Sequence, residues 1–546
     1  MRGNVIDVER RAIHARYTVL IEAGRILEVG PARAVTVPRD AEVIDCEGFW
    51  ILPGLVDSHI HLFQSGGLYT RPDIIDLRRF RSYEQERAWV RANVGDLLAR
   101  HLAAGVTTVV DLGGPISNYA LREQFNRAQR SPEIFLTGPL VSTWQPPAPA
   151  TDDPPIIRAD DIEQARSLVR SQLPYPPDLI KNWYVVRGGA TPATHLPIVR
   201  AAIEEAHSHG LKAAVHATQL ETAKLAVGAG ADVLVHGVDD SPVDREFGEL
   251  LAQRRIPYIP TLLVSRRYDE VLSRRLRPSP HDFALANPFV LGTLTDLWHL
   301  DGGARVDATR GDDPASLARE AHRRSNLKVL ARQGVLIATG TDAGNIGTPH
   351  GSAYFDELVA MREAGLGPWE ILQASTINGA KALGKESDFG SIERGKRADL
   401  LVLGGDPVRD LGNVLGVRQV VHHGKVLEPA SLIDASPAAL VQRQVNAYNH
   451  RNLEAFLEPY DDAVQVRGAD GALRYAGKAR MRTTYERLFR DSPGLHCEIV
   501  ERTTAGHVVT DRERVSGAAG KSFETVARYT IERGKIARVE FSEPSR

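Results

Sequence analysis

The stretch "ILPGLVDSHIHL", residues 51–62, decides the reading of this chain. An apolar run is broken by Pro53-Gly54, resumes, and then places Asp57, His59 and His61 at alternate positions. Successive side chains of a strand point to opposite faces, so the two imidazoles project the same way. Two imidazoles at the buried end of an apolar strand are costly unless they bond to something. By itself the pair reads either as an exposed strand end or as a metal pair at the tip of a strand that is core up to Val56.

Comparable strand ends recur downstream. Apolar β runs at 105–113, 133–141, 179–186, 212–218, 231–238, 256–264 and 335–344 alternate with helical patterns such as "IVRAAIEEAHSHG" and "ETAKLAVGAG". With 51–57 as the first run, the pattern predicts an α/β fold, a parallel (β/α)8 TIM barrel. A doubly wound sheet is the rival, but no Gly-rich phosphate loop follows the first strand. Lys181 in "DLIKNWY", His216 in "AAVHAT", His236 in "VLVHGV" and Asp342 in "ATGTDAG" each follow an apolar run. Taken singly, each histidine reads as a hydrogen-bonded core residue. Together, at the same end of one barrel, imidazoles and carboxylate suit zinc and its divalent neighbours.

On these residues the chain resembles the amidohydrolase superfamily, near imidazolonepropionase and Xaa-Pro dipeptidase-like members. The segment "ELVAMREAGLGPWEILQASTINGAKALG" and the later "GSIERGKRADLLVLGGDP" extend the likeness, which runs from about residue 3 to 427. The resemblance implies that His59 and His61 bind the more buried of two metals, and His216 and His236 the second. It implies that Lys181 is carboxylated by CO2 and bridges them, and that Asp342 touches the first metal and is the catalytic acid/base. An ammonium would repel divalent cations, whereas a carbamate is an anionic oxygen ligand. The implied cofactors are two divalent ions, zinc by default, with manganese, cobalt or iron acceptable to the same ligands. The implied reaction is hydrolysis of a C–N bond in an amide, peptide or cyclic amide, by a hydroxide held between the metals. Asp342 would relay the proton to the leaving group. A lactone, ester or phosphotriester is the alternative target, and a non-catalytic binding or assembly protein is a further one. A deaminase is less favoured, because the first acid after His216 is Glu221. Asp57 is expected to support the site and not to bind metal. Candidate substrate contacts are Tyr69, Arg71, Tyr184, Arg187 and His350, with Trp144 and Trp183 as candidate apolar lining.

Flanking segments read differently. Residues 1–50 and 391–432 carry hairpin-like alternation with Gly turns and are expected to pair into a small β-sandwich domain beside a barrel of residues 51–390. Two insertions, 143–156 and 265–315, follow strand ends and are candidate lids. Residues 437–546 read as an α+β module of two helical patches and four β runs. That module is similar to SnoaL-like domains of the nuclear transport factor 2 superfamily, which implies a cone-shaped fold with a pocket and frequent dimerisation. Its candidate pocket groups are Tyr448, Tyr460, Asp461 and His496, in a dimerisation or substrate-capture role.

Composition narrows the partners. The 546 residues, 42% hydrophobic, can fill a sizeable core. A formal charge of −2 gives no electrostatic case for nucleic acid or an anionic membrane. Cys46 and Cys497 lie far apart and have no C-x-x-C neighbour. The first residues lack the roughly 7–15-residue apolar core of a secretory signal, and no run approaches about 18 uninterrupted apolar residues. The expectation is a soluble cytoplasmic protein acting on a small molecule and forming a homo-oligomer, through residues 437–546 where these dimerise.

Overall fold

The computed structural model describes residues 1–146, 151–300, 310–518 and 520–544. The chain forms two compact units, Met1–Asp269 with Thr309–Ile433, and Glu270–Ala308 with Asp434–Arg546. Among the described residues no helix is long and apolar enough to cross a membrane.

In the first unit the opening run divides at Gly54. Asp45–Pro53 joins a flanking sheet, while Leu55–Ile60 begins a parallel layer. The hinge requires glycine because a Cβ there would lie 2.1 Å from Thr107 Oγ1. The flanking sheet runs in the order Lys425–Leu427, Val417–His422, Leu400–Leu403, Asp45–Pro53, Arg2–Asp7, Ala12–Glu22, Arg25–Pro31. The two distant segments do pair, Leu400 opposite Pro53. They make one continuous sheet where a sandwich was expected. Leu400–Leu403 pairs on both its edges, so the returning segment extends the N-terminal sheet and does not form a second one. Val5, Val19, Ile51, Leu400 and Val421 fill its core.

The parallel layer has two ladders. Leu55–Ile60, Val106–Asp111 and Glu133–Leu136 form one. Leu140–Ser142, Leu179–Trp183, Lys212–His216, Val233–Val235 and Tyr258–Ile259 form the other, with Ile156–Arg158 at its edge. Single links connect them: Asp178 N donates to Leu136 O at 3.0 Å, and parallel bridges join Tyr258 to Ile337 and Ile60 to Ala343. The predicted run 335–344 gives only isolated bridges, because Asp342 takes a left-handed conformation (φ 57°) that interrupts extended pairing. The predicted run 256–264 is also cut short. Thr261 is left-handed (φ 43°), and helix Leu262–Leu272 starts where strand was expected. Its first turn is held by Glu357, whose carboxylate accepts from Leu262 N and Leu263 N at 2.9 and 2.8 Å.

The candidate lids resolve unequally. Of the first, residues 147–150 lie outside the described residues; Asp153 accepts from Ile116 N and Ser117 N, and Ile156–Arg158 extends the sheet. Most of the second falls in the second unit. There, helices Pro280–Leu285 and Pro288–Thr293 pack on Pro437–Asn449, and Asn446 Nδ2 donates to Pro288 O at 2.7 Å. That unit's sheet runs Leu473–Ala476, Tyr460–Arg467, Lys535–Ser542, Lys521–Glu532, Val508–Ala518, His496–Ala505. The last four strands in chain order match the predicted β runs; Tyr460–Arg467 and Leu473–Ala476 are additional.

Two predictions follow from the first unit's joints. Gly54→Ala should lower stability by about 1–3 kcal/mol through overpacking, read as a drop in thermal midpoint. Gly228→Ala, where nothing lies within 4 Å of the new Cβ, should stay within about 0.5 kcal/mol. The second concerns Asp399. Burial opposes its charge, but His422 Nδ1 at 3.0 Å and Arg397 Nε at 3.1 Å outweigh burial and hold its pKa at about 2. Its pKa is lower folded than unfolded, so its contribution is complete above about pH 4 and lost as pH falls through about 2. The contribution is about 2 kcal/mol, and acid unfolding of Asp399→Asn should show a shallower loss across that window.

Candidate metal centre

The strand tips converge. His59 and His61 lie at the end of the first parallel strand, Lys181 in Leu179–Trp183, and His216 at the end of Lys212–His216. His236 follows Val233–Val235 with φ 76°, outside the range most residues adopt. Asp342 Oδ1 sits 3.1 Å from His61 Nε2 and 3.4 Å from His59 Nε2. The rings of His59 and His236 are 5.0 Å apart, and those of His216 and His236 4.3 Å. Gly340 permits this closeness, since a Cβ there would lie 2.9 Å from that of His59.

Their electrostatics suit metal ligation. Both ring nitrogens of His59, Lys181 Nζ and Asp342 Oδ1 are buried without a hydrogen-bond partner. Burial, then the charge of Lys181, pushes the pKa values of His59 and His216 well below 6.5. His236 is pushed the same way by burial and then by His216. Neutral imidazole is the ligating form. Burial also lowers Lys181 to about 7, where the free amine is well populated. His61 Nδ1 bonds Gly113 O at 2.8 Å and His236 Nδ1 bonds Thr261 Oγ1 at 2.8 Å, turning each Nε2 to the centre. His59, His61 and Asp342 offer ligand atoms that all lie within 4.8 Å of one another. The set fits divalent metal. A second grouping, Asp399 with His422 and His423, fits it less well, because Arg397 already occupies one face of the carboxylate.

Supporting residues extend beyond those expected. Asp57 accepts from Thr341 N at 3.0 Å and Thr341 Oγ1 at 2.7 Å, tying the first strand to the turn that carries Asp342. Asp111, fully buried and raised to about 7 by desolvation, lies 4.0 Å from His61 Nδ1. Sequence reading passed over Asp111, although it ends the apolar run "GVTTVVDLG" in the manner of the other site residues.

The adjoining cavity, about 210 Å³, is lined by Phe63, Arg71, Trp183 and Tyr268 beside the histidines. Arg71 is the one expected substrate contact that reaches it. Tyr184 turns its hydroxyl to Pro192 O, Arg187 is exposed over the Trp144 ring, and His350 is buried between His101 and Gln64 O. Tyr69 lies under Arg81 and does not line the cavity. Arg71 is itself engaged: Nε and Nη2 bind Asp73 at 2.8 and 2.6 Å, and Nη1 bonds Asn345 Oδ1 at 2.6 Å and Tyr268 Oη at 3.1 Å. Arg323, also lining, is paired with Asp239 at 2.8 Å.

Comparison with known proteins bears on the family and the fold. The amidohydrolase family model matches residues 50–427, and the SnoaL-like domain model matches 441–539. An imidazolonepropionase of Geobacillus kaustophilus (strain HTA426) is 25% identical over 442 residues, 75% of this chain and 89% of that protein. A 5-methylthioadenosine/S-adenosylhomocysteine deaminase of Teredinibacter turnerae (strain ATCC 39867 / T7901) is 35% identical over 134 residues, 21% of this chain and 30% of that protein. A crystal structure of a Xaa-Pro dipeptidase with methionine bound in its active site shares the fold. Its TM-score is 0.59 at 23% identity, covering 78% of this chain and 98% of that one.

The orientation of His236 generates a prediction. Thr261→Val removes the partner of His236 Nδ1 and should weaken metal affinity about 10–100-fold, measured by chelator competition. The His59→Ala/His61→Ala double variant should retain less metal still.

Proposed function

Because the chain belongs to the amidohydrolase family, a family of hydrolases, we propose that it is a binuclear metal-dependent hydrolase cleaving a C–N bond in a neutral amide, urea or cyclic amide. In this reading the parallel strands close as a (β/α)8 barrel with the ligand set at its mouth. The observation that carries the reading is the convergence of His59, His61, Lys181, His216, His236 and Asp342 on one cavity, with buried atoms of His59, Lys181 and Asp342 that have no hydrogen-bond partner. His59, His61 and Asp342 would hold one divalent ion, His216 and His236 the other, with carboxylated Lys181 between them. Metal ions there supply Lewis acidity toward the carbonyl and a nucleophile from water at neutral pH.

The residues divide the remaining work. The Lys181 free amine adds to CO2, forming an N–C bond and releasing one proton, which leaves an anionic carbamate. Asp342 takes the proton released as water adds to the substrate carbonyl. It then delivers that proton to the leaving nitrogen, which departs as a neutral amine. Asp57, through Thr341, fixes the turn on which Asp342 sits. Both lining arginines are already paired with carboxylates, so the cavity offers a substrate carboxylate no open guanidinium fork. That favours neutral substrates over peptides and N-acyl amino acids.

A substrate panel tests this with zinc or manganese and bicarbonate present. It would contain neutral amides, ureas, lactams, imidazolones, dipeptides, N-acyl amino acids, lactones and an aryl phosphotriester. The expected result is turnover of a neutral C–N substrate, falling about a hundred- to ten-thousand-fold in Asp342→Asn. Turnover confined to the lactone or phosphotriester would assign the site to oxygen leaving groups. Equal turnover by the variant would remove Asp342 from the chemistry.

A further inference from the structure

The second unit contains a cavity of its own, about 430 Å³, with Glu513 among its lining residues. Its walls are mostly aromatic or aliphatic, with Tyr448, Tyr475, Tyr485, Phe523 and Phe541 prominent. Of the pocket groups expected from sequence, Tyr448 and Tyr460 line it. Asp461 instead accepts from Ala463 N, and His496 bonds His299.

Glu513 is 6% exposed. A directed chain of donors ends on it: Tyr460 Oη donates to Gln444 Oε1 at 3.2 Å, Gln444 Nε2 to Tyr529 Oη at 3.1 Å, and Tyr529 Oη to Glu513 Oε1 at 2.7 Å. Each link points its hydrogen toward the carboxyl, an arrangement that stabilises negative charge there. No cation among the described residues pairs with it. Arg502 grips Asp511 at 2.6 and 2.7 Å; Arg512 and Arg514 engage Glu524; Arg474, an exposed residue that also lines the cavity, lies over Phe541. A buried carboxyl with aligned donors behind it, tyrosines lining the same cavity and no cation paired with it is suited to receive one.

We propose that the cavity of the second unit binds a protonated organic amine, its ammonium group on Glu513 and its apolar body against the tyrosines. This site is separate from the metal centre and does not rest on the hydrolase reading. The groups facing Glu513 are Tyr529, Tyr460, Tyr448, Tyr485, Cys497, Asp511 and Arg502. Burial raises the hydroxyls of these tyrosines and the thiol, so they stay neutral near pH 7. Asp511 and Arg502 remain paired with each other. Desolvation raises Glu513 to about 7. It must ionise to hold an ammonium, so affinity rises with pH through that value.

Titration calorimetry on the full chain tests the proposal, with phenethylammonium as probe and 2-phenylethanol as its neutral counterpart. The amine should bind at least about tenfold more tightly than the alcohol, as a charge-assisted contact requires. Its affinity should increase from about pH 6 to about pH 8. Glu513→Gln should lose both the preference and the pH dependence. The wild-type pH series needs no variant, so the test survives a folding defect in Glu513→Gln. Equal affinities, an affinity that falls with rising pH, amine binding unchanged in Glu513→Gln, or no binding of the amine would each overturn the proposal.

Discussion

The structure of the first unit turns on a desolvation constraint. His59, Lys181 and Asp342 hold buried polar atoms to which the protein supplies no hydrogen bond. Each such group costs about 1–3 kcal/mol when left unsatisfied, against a net stability of about 5–15 kcal/mol for a typical domain. A fold keeps that arrangement when something outside the chain engages those atoms. The neutral imidazoles and the lowered lysine are further consequences of the same burial.

Backbone strain accompanies it. His236, Thr261 and Asp342 are left-handed without being glycine, each costing about 1–3 kcal/mol. The surroundings hold them in place. Asp57 anchors Thr341 beside Asp342, Glu357 anchors the turn after Thr261, and the Thr261 side chain orients His236. Three strained positions and the candidate ligands are therefore parts of a single construction. The carboxylates that hold it, Asp57 and Glu357, are buried and raised to about 7 and about 8 by desolvation.

Much of this was legible in the sequence because strand alternation and strand ends are local signals. The parity of Asp57, His59 and His61, and the apolar runs before Lys181, His216 and His236, marked residues that the structure brings together around one cavity. The runs 256–264 and 335–344 misled for a physical reason. They look extended by composition, but tertiary contacts impose left-handed residues at Thr261 and Asp342. The insertion beginning at residue 265 was read by its place after a strand. Its partners, such as Asn446 for Pro288, lie more than a hundred residues away and leave no local trace. Asp111 carried the same signal as the recognised residues, whereas Asp73 and Tyr268 acquire meaning only through Arg71, a long-range relation.

The two cavities follow opposite electrostatic rules. Beside the candidate metal centre, every lining arginine among the described residues is spent on a carboxylate of the chain: Arg71 on Asp73 and Arg323 on Asp239. Those pairs form a stiff polar wall with no net charge to offer an anionic substrate group. In the second unit the relation is reversed. Arg502 is spent on Asp511, and the buried carboxyl of Glu513 has no paired cation among the described residues. A cavity whose charges are internally paired selects by shape and by neutral hydrogen bonds, whereas one with a single uncompensated buried charge selects by the sign of its ligand. The same rule, that buried charge must find its opposite, therefore underlies both proposals, a neutral substrate for one cavity and a cation for the other.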